Sequence, residues 1–432
     1  MSMTNFTSNL LNLKDENITF EDNILEIKKK NILYKVIQGS LTYNPEVCPI
    51  CGCVNINHSI IKNGSKTSDI KLLSCNGNPT ILRLKKQRFF CKECNHTFSA
   101  KTNIVAKNCH ISRIVKLHVL DNVKLKISEK DIARMNFVSH STVSKAIDRS
   151  FRNYIPDPNF LPEHLMFDEF KSTKYADGSM SFIFANSVTH EIVDIVENRQ
   201  LPNLKRYFSS YSKKARDNVK TICIDMYRPY ISLIKDLFPN ANIIIDKFHI
   251  VQLLSRALNK TRIESLKAFK TNSAEYKRLK KYWKLILKDA KDLNCIDFKK
   301  QKYFSDWVSE KTIVERCVYS QKTLDNTYES YQTLLTVIQN GDSALLNNLL
   351  LNLKDTDISP YMQIAIKTLL KYDKYIKNTL YYKYSNGPLE GINNYIKVYK
   401  RIAFGYKSHF HFRNRILISR GIMKPMQENM AA

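Results

Sequence analysis

The stretch HLMFDEF, residues 164–170, is the first of five short apolar segments that have the two-residue period of a β-strand. The other four are SMSFIFANSV (179–188), EIVDIVENR (191–199), VKTICIDM (219–226) and NIIIDKFHI (242–250). Two helical segments, LPNLKRYFSSY (201–211) and RPYISLIKDLF (228–238), separate the later strands. Three consecutive strands followed by alternating helices and strands predict a mixed α/β sheet.

A long helical segment is predicted to interrupt this sheet domain. Between Pro239 and Gly341 the sequence contains neither glycine nor proline, and leucine, tyrosine and lysine recur at helical spacing. We therefore predict a core in two parts, with an all-helical insertion between them and a short tail at the end. The predicted boundaries are 156–250 for the first part of the core, 251–380 for the insertion, 381–422 for the second part and 423–432 for the tail.

The charge of the chain indicates a polyanionic partner. Among 432 residues, 68 are lysine or arginine and 40 are acidic, which gives a formal net charge of +28 spread along the sequence. A hydrophobic content of 43% excludes a disordered chain and is enough for several cores. No apolar run approaches the ~18 residues of a spanning helix and no signal-peptide pattern is present, so we expect a soluble intracellular protein without a membrane partner. Residues 1–45 form an N-terminal arm, helical or strand-like, whose packing the sequence does not predict.

Residues 46–100 have the spacing of a zinc ribbon. Two C-x-x-C pairs can each supply two thiolates to one tetrahedral ion, and the pairs are Cys48 with Cys51 and Cys91 with Cys94. Gly52 and Asn95, which follow the pairs, tolerate the left-handed backbone of a metal-binding knuckle. Four thiolates leave no open coordination position, so the predicted zinc ion is structural. Alternative ligands nearby are Cys53, His58, Cys75 and His96. The other cysteines are interpreted as small buried apolar residues, namely Cys109, Cys223, Cys295 and Cys317.

Residues 101–155 have the pattern of a helix-turn-helix. Apolar residues at helical spacing flank a break near Asn136, and they are Ile127, Ile132, Ala133, Val138, Val143, Ala146 and Ile147. The start and outer face of the second helix carry side chains of the types that contact bases and phosphates. These candidate DNA-binding residues are Ser139, His140, Ser141, Thr142 and Lys145. The alternative is an ordinary helical hairpin, against which the strong positive charge and the neighbouring zinc module argue.

Two aspartates end strands that are predicted to be neighbours. Asp168 ends the first strand on the face opposite Phe167 and Glu169, and Asp225 ends the fourth. Two such acids repel each other unless cations lie between them, and carboxylate oxygens suit Mg²⁺ or Mn²⁺. The alternative for any single strand-end aspartate is a turn or cap residue. A supporting or DNA-facing role is predicted for the residues after the fifth strand, Asp246 and His249.

The segment SNGPLEGINNYIK, residues 385–397, predicts a helix with a polar working face. Pro388 suits its first turn, and Ser385 or Asn386 can cap it. The apolar face contains Ile392, Tyr395, Ile396 and Tyr399, whereas the polar face contains Glu390, Asn393, Asn394 and Lys397. An acid near a helix N-terminus needs no chemical role, but Glu390 can also join the two aspartates as a third ligand. Gly391 beside it leaves room for a phosphate, and two ions about 3.5–4 Å apart can activate a water or a 3′-hydroxyl for attack on a phosphodiester.

The order of these features resembles the ISL-three-type insertion-sequence transposases of bacteria. The resemblance rests on the zinc ribbon, the helix-turn-helix, FDEF (167–170), IDMYRPY (224–230), DKFH (246–249) and SNGPLEGINNYIKVYKRIAFGY (385–406), and it covers nearly all of the chain after residue 45. It implies an RNase-H-like DDE core with catalytic roles for Asp168, Asp225 and Glu390 and two Mg²⁺ or Mn²⁺ ions. It also implies terminal inverted repeats as the double-stranded DNA substrate, action as at least a homodimer on paired ends, and a cytoplasmic location at the nucleoid.

The function expected from these features is DNA transposition, by cleavage at element ends and transfer of the freed 3′-hydroxyls to a target. Lys397, Lys400 and Arg401 would hold phosphates near the cut. A first alternative is a non-catalytic DNA-binding regulator derived from a transposase, which has no need for the three acids together. A second alternative is a related RNase-H-like nuclease, for which separate DNA-reading modules are unnecessary.

Overall fold

A computed structural model describes residues 3–13, 15–150, 156–354 and 356–421. The described residues form two compact units. The first unit comprises residues up to 150 together with 173–175 and 396–421, and the second comprises 156–172 and 176–395.

The first unit is built on a twisted sheet that follows a short helix, α1 (Met3–Leu10). Its strands are β1 (Ile18–Lys29), β2 (Ile32–Leu41), β3 (Ile60–Lys71), β4 (Thr80–Cys91) and β5 (Thr97–Ser99). Their order is β1-β2-β4-β3, with β5 paired to β4, and β2 runs parallel to β4. The boundary predicted at residue 45 therefore falls inside one sheet. The hairpin of residues 18–41 is part of the zinc-ribbon sheet and not a separate arm, because β2 donates and accepts main-chain hydrogen bonds along β4.

Three helices follow the zinc module in the first unit. They are α2 (Arg113–Asn122), α3 (Glu129–Met135) and α4 (His140–Ser150). Serine side chains cap two of them, since Ser112 accepts a hydrogen bond from the main chain of Val115 and Ser128 from that of Asp131. Helices α3 and α4 lie where two helices were predicted, on either side of Asn136. Ile132, Ala133, Val143 and Ile147 are buried as their helical spacing indicated.

The second unit contains the five predicted strands in one mixed sheet. They are β6 (His164–Lys171), β7 (Met180–Asn186), β8 (Ile192–Val196), β9 (Thr221–Ile224) and β10 (Asn242–Ile245), in the order β10-β9-β6-β7-β8. Strands β6, β9 and β10 are parallel, so their carboxyl ends share one edge, and β7 is antiparallel to β6. The connecting helices are α5 (Leu201–Ser209), α6 (Lys213–Asp217), α7 (Arg228–Leu237) and α8 (Lys247–Lys267).

A phenylalanine cluster fixes one face of this sheet. Phe167, Phe182, Phe184 and Phe208 are fully buried and pack ring against ring. Replacing any one of them by alanine costs about 3–5 kcal/mol in a typical core. The alternation of β6 puts Phe167 in this cluster and turns Asp168 to the opposite face.

The insertion is mostly helical. Its helices are α9 (Ala274–Lys281), α10 (Trp283–Ile286), α11 (Glu310–Val318), α12 (Lys322–Asn340), α13 (Ser343–Leu353), α14 (Pro360–Lys371) and α15 (Asp373–Tyr381), with a 3₁₀ turn at Ala290–Asp292. The expectation of an all-helical insertion is wrong in one place, where β11 (Lys299–Lys300) pairs with β12 (Trp307–Val308). Just before this hairpin, Asn294 Oδ1 accepts hydrogen bonds from the main-chain N–H groups of Ile296 and Asp297.

The end of the insertion closes the edge of the sheet. Strand β10 is an edge strand, and α15 satisfies part of that edge with side chains. Asn378 Nδ2 donates to the carbonyl of Ile243 at 2.9 Å, and Thr379 Oγ1 donates to the carbonyl of Ile245 at 2.7 Å and accepts from its N–H at 3.1 Å. The end of the insertion therefore packs beside β10, the strand that precedes the insertion in the sequence, and covers its open edge.

The last two helices are α16 (Gly387–Ile402) and α17 (His409–Ser419). The second part of the core, predicted as 381–422, is too long, because residues from 396 onward belong to the first unit. There, Tyr399 Oη donates to the carbonyl of Lys124 at 3.2 Å, Arg415 Nη2 donates to that of Ile127 at 3.0 Å, and His411 lies 2.8 Å from Glu129 Oε1.

Within the described part of the chain, every helix is too short or too polar to cross a lipid bilayer.

Candidate functional site

Asp168 lies in β6 near the carboxyl edge of the mixed sheet. One carboxylate oxygen accepts a 2.7 Å hydrogen bond from the side-chain amide of Asn393 in α16, and the other accepts the main-chain N–H of Glu169 at 2.7 Å. Burial raises the pKa of Asp168 to about 7, and the negative charges of Asp225, Glu169 and Glu390 add to the rise. A carboxyl group in such surroundings is stabilised as an anion only if positive charge is brought close.

Asp225 directly follows β9, the strand that pairs in parallel with β6. Its Oδ1 lies 2.9 Å from His249 Nε2 and also accepts a hydrogen bond of 3.3 Å from the side chain of Asn386. The hydrogen bond to Asp225 is the main cause that raises the pKa of His249. The predicted neighbourhood of the strands that bear Asp168 and Asp225 is confirmed.

Asp246 follows β10, which lies two strands away from β6 in the sheet. It is 3% exposed, and both of its oxygens are used by the main chain. Oδ1 caps α8 by accepting the N–H of Phe248 at 3.2 Å, and Oδ2 accepts the N–H of Asn386 at 3.1 Å. These bonds give Asp246 a scaffolding position between the sheet and the segment that returns from the insertion.

Glu390 lies in the first turn of α16 and is exposed. Its negative charge is among the causes that raise the pKa values of Asp168 and His249, so it lies within electrostatic range of both. Its main-chain N–H donates to the carbonyl of Asn386 at 3.1 Å. Gly391 beside it faces open space, because a Cβ added there would meet no atom within 4 Å.

The acids are spread more widely than the ligands of a single ion. Among the described residues, one group of potential metal ligands has all its atoms within 4.8 Å of one another, and it consists of cysteines. Asp168, Asp225 and Glu390 therefore influence one another through charge without forming so tight a set.

Two asparagines of the site were missed in the sequence. Asn386 was considered only as a helix cap and Asn393 only as part of a polar face, yet both donate to the aspartates. The signal was present in their spacing, because positions 386, 390 and 393 repeat at helical intervals on one face. The predicted capping of α16 falls to Ser385, whose Oγ accepts the N–H of Gly387 at 3.3 Å.

Glu169 points away from Asp168, as the alternation predicted. Its carboxylate forms an ion pair with Arg199 and accepts a hydrogen bond of 2.9 Å from Tyr230 Oη. The guanidinium of Arg199 in turn lies over the ring of Tyr227, 5.2 Å from its centroid. With its charge compensated on the other face of the sheet, Glu169 is not a competing ligand beside Asp168.

Three of the four predicted zinc ligands, Cys48, Cys51 and Cys91, lie in one tight group in the first unit, and the sulfur of the fourth, Cys94, lies close to that of Cys48. Gly52 and Asn95 have the expected left-handed backbone, with φ of 76° and 55°, and Gly52 N–H donates to the carbonyl of Cys48 at 2.9 Å. The sulfur atoms of Cys51 and Cys91 are 3.8 Å apart, and those of Cys48 and Cys94 are 3.9 Å apart. A tetrahedral ion with Zn–S bonds of about 2.3 Å separates its sulfur ligands by about 3.8 Å. The cysteine cluster therefore fits a structural zinc ion.

A fifth thiol lies in the same cluster. The group whose sulfur atoms are mutually within 4.8 Å contains Cys53 in place of Cys94, and it consists of Cys48, Cys51, Cys53 and Cys91. Cys53 Sγ is 3.3 Å from Cys91 Sγ, which is shorter than the tetrahedral spacing. Neighbouring main-chain N–H groups lower the pKa of Cys91 to about 6, whereas the pKa values of Cys53 and Cys94 are both raised to about 12. Protonation does not distinguish Cys53 from Cys94. Cys53 belongs to the tight group but lies too close to Cys91 for a tetrahedral ligand, whereas the 3.9 Å between Cys48 and Cys94 fits one, so Cys94 stays the predicted fourth ligand.

The candidate DNA-binding residues of the helical region are accessible. Ser139, His140, Ser141 and Lys145 are exposed and Thr142 is half-buried at the start of α4. Ser139 also has a local role, since its Oγ accepts the N–H of Thr142 at 3.2 Å and so caps the helix. Farther along the chain, Lys397 and Arg401 are exposed and Lys400 is half-buried in the last turns of α16.

The comparison with protein families decides the identity of the chain. A transposase model of the ISL-three (ISL3) type matches residues 165–416, which is more than half of the chain and includes all three acids. The chain belongs to the ISL-three family of insertion-sequence transposases. A second model, described as the zinc-finger of the transposases IS204, IS1001, IS1096 and IS1165, matches residues 44–94 of this transposase and ends at Cys94.

The individual relatives either have low sequence identity to this chain or match only a part of it. The transposase is 21% identical over 397 residues to the transposase for insertion sequence element IS1001 of Bordetella parapertussis, across 85% of this chain and 86% of that protein. It is 36% identical over 126 residues to a Lactococcus lactis subsp. lactis protein called an ATP-dependent protease, across 28% of this chain but only 40% of that protein's length. Among solved structures, the Drosophila P element transposase strand transfer complex aligns with 73% of this chain and 92% of its own at 11% identity. The TM-score of 0.35 does not establish a common fold.

Proposed function

We propose that this transposase binds the terminal inverted repeats of an insertion sequence and catalyses metal-dependent cleavage and strand transfer with Asp168, Asp225 and Glu390. The observation that carries the proposal is the approach of the three acids at the carboxyl edge of a five-stranded mixed sheet, although the insertion separates the third from the others in sequence. The order of that sheet, with β6 at its centre between β9 and β7, supports an RNase-H-like core.

The donor set suits Mg²⁺ or Mn²⁺. These ions prefer carboxylate oxygens, and the elevated pKa of Asp168 indicates a site where a cation would relieve unfavourable negative charge. A spread of oxygens wider than 4.8 Å suits two ions better than one, because two ions about 3.5–4 Å apart need ligands along a longer line. When bound, such ions lower the pKa of an attacking hydroxyl group and stabilise the leaving oxygen.

The chain's own residues orient the acids. His249 and Asn386 both contact Asp225 Oδ1, so the carboxylate is held with its other oxygen directed away from them. Asn393 fixes Asp168 in the same way from α16. Asp246, with both oxygens occupied by main-chain N–H groups, supports the site without being a ligand.

DNA recognition is assigned to the first unit and to the end of α16. The exposed start of α4 carries hydroxyl, imidazole and ammonium groups that suit a DNA groove, in line with a helix-turn-helix, while Lys397, Lys400 and Arg401 suit phosphates. The excess of 28 positive charges supports a polyanionic substrate. Work on two element ends requires at least two active sites, so we propose a homo-oligomer on paired ends.

The proposal is tested with labelled DNA duplexes from both boundaries of the element that encodes the chain, incubated with purified protein and Mg²⁺. Wild-type protein should cut at the element end, and Asp225→Asn should bind the duplex with unchanged affinity and fail to cut it. Asp236→Asn is the matched control, because this exposed aspartate in α7 forms only a surface ion pair with Lys205. Equal cleavage by wild type and Asp225→Asn would reject the assignment of the acids.

A further inference from the structure

The position of Glu390 cannot be fixed by the sheet. Asp168 and Asp225 are placed by neighbouring strands, but Glu390 belongs to a helix that begins after the whole insertion. Its distance from the aspartates therefore depends on contacts made where the chain returns. These contacts are concentrated on one residue, Asn386, which directly precedes α16.

Asn386 connects the three parts of the site. Its side chain is 1% exposed, and Nδ2 donates to the main-chain carbonyl of Phe167 at 2.9 Å and to Asp225 Oδ1 at 3.3 Å. Its main-chain N–H donates to Asp246 Oδ2 at 3.1 Å. Its carbonyl accepts the N–H of Glu390 at 3.1 Å, which forms the first turn of α16.

The chemistry of these contacts requires a neutral double donor. The two acceptors, a carbonyl of β6 and a carboxylate oxygen of Asp225, face the two hydrogens of one NH₂ group. Aspartate at this position would have no hydrogen to donate when ionised and would repel Asp225. Leucine has a similar volume but would leave a buried carbonyl and a carboxylate without their donor.

We propose that Asn386 is the positioning residue of the acidic site: its carboxamide ties the carboxyl end of β6 to Asp225 and thereby sets where α16 presents Glu390. The inference rests on the proposed function, since it concerns the same acids. Asn393 completes the arrangement two helical turns later by its bond to Asp168, so that Asn386, Glu390 and Asn393 follow one face.

The test compares Asn386→Leu with Asn348→Leu, which makes the same substitution at an exposed position of α13, away from the acids in sequence. Three quantities are measured: Mn²⁺ binding to DNA-free protein by electron paramagnetic resonance, the Mg²⁺ concentration for half-maximal cleavage, and thermal unfolding of the zinc-loaded protein without added Mg²⁺ or Mn²⁺. Asn386→Leu should weaken Mn²⁺ binding and raise the half-maximal Mg²⁺ concentration by roughly ten- to a hundredfold, because a hydrogen bond to a charged ligand is lost. Asn348→Leu should match wild type in both.

A residue that only stabilises the fold would give a different result. Asn386→Leu would then unfold at a lower temperature, while its Mn²⁺ affinity and Mg²⁺ requirement stayed those of wild type, and this outcome overturns the inference. If Asn386→Leu does not fold, Asn386→Ser, which removes the amide without adding an apolar group, is judged by the same measurements. Wild-type protein that neither binds Mn²⁺ nor cleaves DNA would instead contradict the proposed function itself.

Discussion

The cysteine cluster and the acidic site hold their side chains in different ways. Each C-x-x-C pair lies within one knuckle, so a short run of backbone places two sulfur atoms, and hydrogen bonds such as Cys91 N–H to the carbonyl of His96 preserve that shape. The three acids come from positions 168, 225 and 390, and they repel one another. Amide and imidazole donors from other elements hold the carboxylates of Asp168 and Asp225. Acids that are distant in sequence and repel one another therefore need side chains from other elements to hold them in place, whereas the backbone of a zinc knuckle positions its own cysteines.

The substitution with the strongest expected consequence is in the cysteine cluster. Cys91→Ser should abolish binding of one zinc ion per chain, with loss of zinc-binding free energy on the order of 10 kcal/mol that helps to fold the module. Cys53→Ser should keep one zinc ion, because the sulfur of Cys53 is too close to that of Cys91 for a tetrahedral ligand. Zinc content by atomic absorption, together with limited proteolysis of residues 46–100, checks both. Zinc loss in Cys53→Ser but not in Cys94→Ser would reverse the ligand assignment.

The next strongest consequence is expected for DNA cleavage at the acidic site. Glu390→Gln should reduce DNA cleavage by at least about a thousandfold, because the substitution removes a charge from the site of phosphoryl chemistry. Since Glu390 is exposed, the melting temperature and the affinity for end DNA should stay near those of wild type. Glu191→Gln, at an exposed glutamate outside the site, is the matched control. Retention of more than a tenth of the wild-type rate by Glu390→Gln would count against a catalytic glutamate.

Repulsion within the acidic site predicts a stability that depends on pH. The folded pKa of Asp168, about 7, exceeds the ordinary value of 3.8, so its contribution to stability is complete below pH 4 and is lost as pH rises through 7. Without added Mg²⁺ or Mn²⁺, Asp168→Asn should therefore stabilise the protein by up to about 3 kcal/mol at pH 8 and by little at pH 4. Thermal unfolding across this range measures the difference. A gain in stability that is the same at every pH would show that the pKa of Asp168 is not raised in the folded protein.

Gly391 gives the smallest expected change in stability. Gly391→Ala should stabilise α16 by up to about 1 kcal/mol, because alanine is the better helix former and the added methyl group meets no atom. Cleavage should nevertheless fall several-fold if a phosphate approaches this surface. Asn348→Ala in α13 is the control, with a similar gain in helix propensity at an exposed position and no loss of cleavage. Unchanged cleavage by Gly391→Ala would remove the phosphate from this face.

The two sites also differ in how far sequence alone predicts them. The spacing of the cysteines predicted a zinc site in the region where the structure has a cysteine cluster, and the succession of strands and helices predicted that the strands of Asp168 and Asp225 are neighbours. The sequence did not predict that the β1–β2 hairpin joins the sheet. Strand β2 pairs in parallel with β4, and the first C-x-x-C pair lies between these two strands in the sequence, so no local pattern indicates their pairing. The roles of Asn386 and Asn393 were also hidden, because an amide near a helix start has a sufficient local explanation as a cap.

Helix α16 marks another limit. Its apolar stripe correctly indicated burial of Ile392, Ile396 and Tyr399. The apolar stripe does not predict that residues up to 395 belong to one unit and later residues to the other. Helical periodicity shows which side of a helix is buried, but not which hydrophobic core that side packs against. The short strands β11 and β12 were missed for a similar reason, since two-residue strands have no measurable period.

The most direct measurement is an anomalous difference map at the manganese edge from crystals of the transposase grown with an end duplex and Mn²⁺. We expect peaks about 2.1 Å from carboxylate oxygens of Asp168 and Asp225, with Glu390 completing the ligands of at least one ion. Peaks bound elsewhere, or acids that remain paired only with Asn393, Asn386 and His249 while manganese is bound at another site, would contradict it.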